Sequence, residues 1–141
     1  MATANTTKTT TTKKIESDFP VIFTKFEAYN GNEPYLFISY SHRDTAKVYP
    51  ILDALYDRKY RIWYDESCEN GNDFRDELRH RIEKCSAVIL FVSKASMTSP
   101  FCGMEVIVAR ENGKRLYPIY LEDDTVVPPT FKILLDNTHH S

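Results

Sequence analysis

Glycine is scarce in this chain, with four among 141 residues, at positions 31, 71, 103 and 113. Scattered in this way, they build neither the closely spaced glycines of a dinucleotide-binding fingerprint nor the loop that precedes Lys-Ser/Thr in a P-loop. Cysteine is scarcer still. Cys68, Cys85 and Cys102 are an odd number without CxxC spacing, which argues against a disulfide framework or zinc knuckle and fits a reducing, cytoplasmic setting. No metal site is expected. Long apolar runs are also missing: the longest, Ala87–Val92, has six residues, against the ~18–20 that span a bilayer. No charged segment followed by an apolar one opens the chain as a secretory signal would. Eighteen Lys+Arg against 20 Asp+Glu leave a net charge of −2, without the basic excess that a phosphate backbone rewards. Neither nucleic acid nor a membrane is expected as a partner.

What is present supports one buried core. The hydrophobic fraction is 42%, and the length is that of one domain at ~100–200 residues each. Within residues 1–18, positions 2–14 read ATANTTKTTTTKK, which holds seven threonines and three lysines but nothing large and apolar. Such a segment cannot offset its ordering entropy and reads as a disordered tail. Residues 19–34 read as an N-terminal extension, in which Val21–Phe26 is at most a short strand or packed segment, and residues 35–141 as the domain proper.

Four β-rich runs follow Pro34: YLFISY from Tyr35, RIWYD from Arg61, AVILFV from Ala87 and RLYPIYL from Arg115, with starts 26, 26 and 28 residues apart. That spacing is one βα unit each and predicts an α/β fold, a doubly wound parallel sheet with helices on both faces. Val48, Ile51, Leu52 and Leu55 recur with a helical period, as do Phe74, Leu78, Ile82 and Cys85. Pro50 places the start of the first helix near Tyr49, or a kink there. A third helix is bounded by Ser99 as N-cap, Pro100 at its first position and Asn112-Gly113 as its stop, which puts Glu105 in its second turn. After Leu121 no fifth strong strand appears. Either Val21–Phe26 supplies it, or the last strand and helix lie beyond Ser141 in a longer protein.

Several chemistries are excluded. A phosphoacceptor receiver would cluster aspartates at the end of its first strand, where this chain has Phe37-Ile38-Ser39-Tyr40-Ser41. Ser41, His42 and Asp44 are neighbours on one loop, where the three groups of a triad seldom converge; Ser41 or Asp44 as a helix cap is the simpler reading. His139-His140 read as solvated tail residues. Ligands of parallel α/β sheets bind outside the carboxyl ends of the strands. Ser39, Tyr40 and Ser41 arrive there from the first strand and Trp63, Tyr64 and Asp65 from the second. The third leads through Ser93 to Phe101 and Glu105.

FISYSHRD after Tyr35, RIWYDE at 61–66, ENGNDF with Gly71, AVILFVS at 87–93 and SPFCGMEV at 99–106 occur in this order. Together they resemble a Toll/interleukin-1 receptor (TIR) domain, in particular the bacterial kind, over roughly residues 35 to 121. The resemblance implies a flavodoxin-like fold of five parallel strands, the fifth lying beyond Ser141. In enzymatic members a glutamate three residues after a Cys and four after an aromatic cleaves the nicotinamide–ribose bond of NAD. Here these are Glu105, Cys102 and Phe101, the last standing where Trp is usual and lacking its indole N–H. From their places at this end of the sheet, Tyr40, Trp63 and Phe101 are expected as flat apolar walls for nicotinamide or adenine, with Ser39 and Asp65 as polar contacts. By the same resemblance, the loop with Glu66, Gly71 and Phe74 serves association with other TIR domains.

One carboxylate suffices for such chemistry. Nicotinamide leaves a cationic pyridinium as a neutral molecule and needs no general acid, unlike the alkoxide of ordinary glycosides. A carboxylate beside the ribose stabilises the developing oxocarbenium charge. NAD+ is then a substrate, and no cofactor is needed. The products are nicotinamide with ADP-ribose or a cyclic ADP-ribose-type signal, in the setting of prokaryotic antiviral defence. A non-catalytic TIR interaction module is the alternative; a flavin-binding protein would want a richer Ser/Thr phosphate loop after the first strand. Each residue also has a structural reading: Glu105 as a solvated helix residue, Trp63 as core, Asp65 as a loop cap, Ser39 as a strand-end hydroxyl bonded to backbone, and Cys102 as a small buried hydrophobe.

Overall fold

The computed structural model describes residues 23–65, 72–123, 125–129 and 131–132, with the side chains of 72–74 excepted. The Thr/Lys-rich tail, Glu66, Gly71, the Phe74 side chain and the His139-His140 pair lie outside the described residues.

All four β-rich runs form strands: β1 (Leu36–Ser39), β2 (Ile62–Tyr64), β3 (Ala87–Val92) and β4 (Arg115–Tyr120). They pair in parallel in the order β2-β1-β3-β4. These are the first four places of the doubly wound 2-1-3-4-5 order, whose switch point lies between β1 and β3. The helices α1 (Thr45–Asp57), α2 (Asn72–Lys84), α3 (Lys94–Met97) and α4 (Pro100–Glu111) connect them. β3 is central and buried along its whole length, as a strand covered on both faces must be.

The two-residue period of the strands divides the core. Phe37, Trp63, Val88, Leu90 and Leu116 pack toward Leu78 and Ile82 of α2 and Val106 and Ala109 of α4. Ile38, Tyr40, Ile62, Tyr64, Ile89 and Phe91 pack on the other side, toward Val48, Tyr49 and Leu52 of α1.

Two expectations left alternatives open, and the structure chooses between them. The first helix starts at Thr45, and Pro50 lies inside it. A one-turn 3-10 segment, His42–Asp44, leads into it, and burial of Val48, Tyr49 and Leu52 offsets the hydrogen bond that Pro50 cannot donate. The second concerns the extension, whose described residues 23–34 contain no strand. They take the packed alternative, as a strap: Phe26 stacks on Tyr56 with ring centroids 4.5 Å apart, and Tyr29 N donates to the Ile62 carbonyl at 2.8 Å. That bond covers part of the outer edge of β2.

Candidate active site

α4 begins as its sequence dictates. Ser99 Oγ accepts from Cys102 N at 3.3 Å, Pro100 needs no donor in the first turn, and Gly113 takes the positive φ of 69° just past the end. Between these signals Glu105 falls on the face of α4 turned to the sheet, and only 7% of it is exposed. β1 ends at Ser39, which is fully buried and on the same side as Phe37. Ser39 Oγ donates to Glu105 Oε1 at 2.6 Å.

This contact governs the site. Burial pushes the Glu105 carboxyl up to about 8, the Ser39 hydrogen bond opposes that rise, and the negative charge of Asp65 adds to it. Cys102 lies one turn earlier on α4; burial, then the Glu105 charge, push its thiol up to about 12. It is a small buried group and not a reactive nucleophile. Asp65 follows β2, and His42 Nε2 lies 2.9 Å from its carbonyl oxygen and 3.9 Å from its Oδ2. The loops after β1 and β2 are joined there.

Ser39 and Glu105 therefore meet at the carboxyl end of the sheet beside the switch point, and Asp65 follows β2 at the same end, near enough for its charge to bear on Glu105. Phe101 sits in the first turn of α4, half-buried, and packs against the cluster that includes Trp63 and Val106. Trp63 lies deeper on the same face, paired with Phe37 across β1 and β2. Its ring stacks on Phe37 at 5.2 Å, and the Arg81 guanidinium lies 5.3 Å from its centre. It belongs to the core.

Tyr40 does not join the group, which corrects the expectation that it walls the substrate. Alternation turns it to the α1 side, where its hydroxyl donates to the Asp65 carbonyl at 2.6 Å and lies 3.1 Å from Tyr49 Oη. Burial raises its phenol pKa further. Glu66 and Gly71 of the expected association loop lie outside the described residues, and Phe74 is placed only as a backbone position in α2.

The sequence reading missed one buried pair. Asp44 makes no cap with its side chain; its Oδ2 accepts from Ser93 Oγ, while Ser41 Oγ does the capping, accepting from Arg43 N at 3.2 Å. Ser93 also caps α3 through a reciprocal box with Ser96, for which Ser-x-x-Ser was the available signal. Among the described residues no group of three His, Cys, Asp or Glu is arranged to hold a metal.

A family model described as the TIR domain matches residues 36–140. The chain belongs to the TIR domain family. Among solved structures, this TIR domain is similar to the TIR domains of the activated Roq1 resistosome, which directly recognizes the pathogen effector XopQ. The TM-score is 0.55 at 18% identity, over 77% of this chain and 72% of that one, a likeness of fold. It is also similar to a metazoan TIR-STING receptor from C. gigas, at TM-score 0.57 and 28% identity over 79% of this chain. It spans 40% of that receptor. No curated protein sequence matches.

Proposed function

We propose that this TIR domain cleaves the nicotinamide–ribose bond of NAD+, with Glu105 as the catalytic carboxylate. The observation that carries this reading is the Ser39–Glu105 contact at the carboxyl edge of the sheet, where doubly wound folds place their ligands. Asp65 and Phe101 supply a polar and a flat apolar contact beside it. A glutamate held near 8 rests largely neutral at neutral pH. The positive pyridinium of NAD+ favours its ionised form, since an opposite charge nearby lowers a carboxyl pKa. Substrate thus draws out the carboxylate that stabilises the oxocarbenium-like transition state. The products are nicotinamide and ADP-ribose, or a cyclic ADP-ribose-type signal, made by assembled copies in the cytoplasm as part of prokaryotic defence.

A second reading, a TIR interaction module without catalysis, is favoured by one feature: Glu105 is almost closed off and its Oε1 already engaged by Ser39. NAD+ turnover at high protein concentration with a crowding agent separates the two. Loss of turnover in Glu105→Ala, with the fold intact by circular dichroism, supports the enzyme, and chromatography of the products tells hydrolase from cyclase. Absence of turnover in an assembled wild-type sample supports the module.

A further inference from the structure

At the opposite edge of the sheet, below the amino ends of β1 and β3, lies a cleft of about 580 Å³ between the loop before β1 and the last turns of α2. Its walls carry His80, Arg81 and Lys84 from α2, with Asn30, Asn32 and Glu33 from the loop. We infer that this cleft binds a phosphate-bearing small molecule of nucleotide size.

The size fits, since small-molecule sites occupy ~300–1,000 Å³. The wall is also fixed in advance. Arg61 Nε donates to the Pro34 carbonyl at 2.6 Å, Arg81 Nη2 donates to Asn30 Oδ1 at 2.9 Å, and Glu33 N donates to Tyr29 Oη at 2.9 Å. A Cβ at Gly31 would collide with that same Tyr29 ring, so glycine is what lets the loop close on it. A preformed site spares a ligand the entropy of ordering it.

The charge has the right sign. Arg81 and Lys84 bring two positive charges to the cleft, with the His80 imidazole beside them, against the single carboxylate of Glu33. Basic residues often end helices to complement the backbone dipole, but here other groups meet the α2 terminus. Tyr35 Oη donates to the Arg81 carbonyl at 2.6 Å, and Lys114 Nζ donates to the Cys85 carbonyl at 2.8 Å. His80 and Lys84 have no hydrogen-bond or ion-pair partner from their side chains among the described residues. Arg81 is only partly committed: its Nη2 is shared between Asn30 Oδ1 at 2.9 Å and Glu77 at 3.6 Å. Guanidinium and ammonium groups around a polar cleft match the oxygen-rich surface of a phosphate.

The lone tryptophan reports on this site, because Arg81 lies over the Trp63 ring. ADP titrated into the purified chain should give a saturable change in Trp63 fluorescence and a matching heat by calorimetry, both competed by pyrophosphate. Lys84→Glu and His80→Glu change exposed positions, so the fold tolerates them. Each should weaken binding about tenfold, while Glu105→Ala leaves it unchanged. Binding that survives both α2 variants, or that disappears in Glu105→Ala, would place the ligand at the other edge and overturn the inference. So would the absence of both heat and fluorescence change at millimolar ADP.

Discussion

Ser39 and Glu105 are 66 positions apart in sequence and 2.6 Å apart in space, hydroxyl donor to carboxyl acceptor. The burial that brings them together raises the Glu105 pKa, and the bond they share lowers it. The balance sets the pH at which the carboxylate is available.

Turnover that requires ionised Glu105 should therefore rise with pH, with a midpoint for kcat/KM near 8, the value for the free protein. Ser39→Ala removes a stabiliser of the charged form, so its midpoint moves up, and its rate at neutral pH falls about tenfold for every pH unit by which the midpoint rises. Asp65→Asn removes a repelling charge, so its midpoint moves down. Profiles of the three proteins between about pH 6 and pH 10 check this; midpoints that move the same way in both variants would refute it.

The same group makes stability depend on pH. The folded Glu105 pKa, about 8, stands above its ordinary 4.5, so the unfolded chain loses this proton first as pH rises. The contribution of neutral Glu105 is complete below about 4.5, falls as pH climbs toward 8, and changes no further above that. Glu105→Gln keeps the shape without the proton. Urea midpoints should fall between pH 5 and pH 8 in the wild type and stay flatter over the same window in Glu105→Gln.

Much of the fold was legible because short strands at regular spacing admit few topologies. AVILFV could only be a central strand, and Ser99-Pro100 with Asn112-Gly113 bounded α4 to the residue. The start of the first helix is misread because Pro50 is a local signal, whereas Val48, Tyr49 and Leu52 find their compensation in tertiary packing. At the site, Ser39 at the end of β1 meets Glu105 in the second turn of α4, and Asp65 follows β2 at the same end of the sheet. Tyr40 is misassigned because a roll of residues at a strand end ignores the face each one takes. Asp44 and Ser93 escape notice as a pair because two loops meet there that no periodicity connects.

The cysteines give a chemical check of the packing. Burial pushes Cys85 up to about 11 and Cys102 up to about 12, and both are buried. Native protein treated with iodoacetamide at neutral pH should leave both unmodified, and full labelling should require denaturant. Rapid native labelling of Cys102, read by peptide mass spectrometry, would mean that α4 does not seal the site as described.

The end of α4 allows a backbone test. Gly113 has φ of 69° and open space where a Cβ would sit, so Gly113→Ala changes conformational strain without a clash. The substitution should cost about 1 kcal/mol, seen as a lower urea midpoint with an unchanged slope. A neutral outcome would mean that the turn relaxes to a different conformation.

Tyr40 separates packing from catalysis. Its hydroxyl ties the end of β1 to the Asp65 carbonyl and to Tyr49, while its ring fills the α1 side of the core. Tyr40→Phe keeps the ring, and His42 Nε2 still reaches the Asp65 carbonyl. The variant should lose about 1 kcal/mol of stability, the net contribution of a buried hydrogen bond whose partners keep other contacts. The KM for NAD+ should stay that of the wild type, because the phenol lies across the sheet from Glu105. Phe101→Ala should do the opposite: it removes a half-buried wall beside the carboxylate and should raise KM more than it lowers stability. If Tyr40→Phe raised KM while stability held, the tyrosine would belong to the substrate site after all, and the division of the core into two faces would not describe how this edge of the sheet binds its ligand.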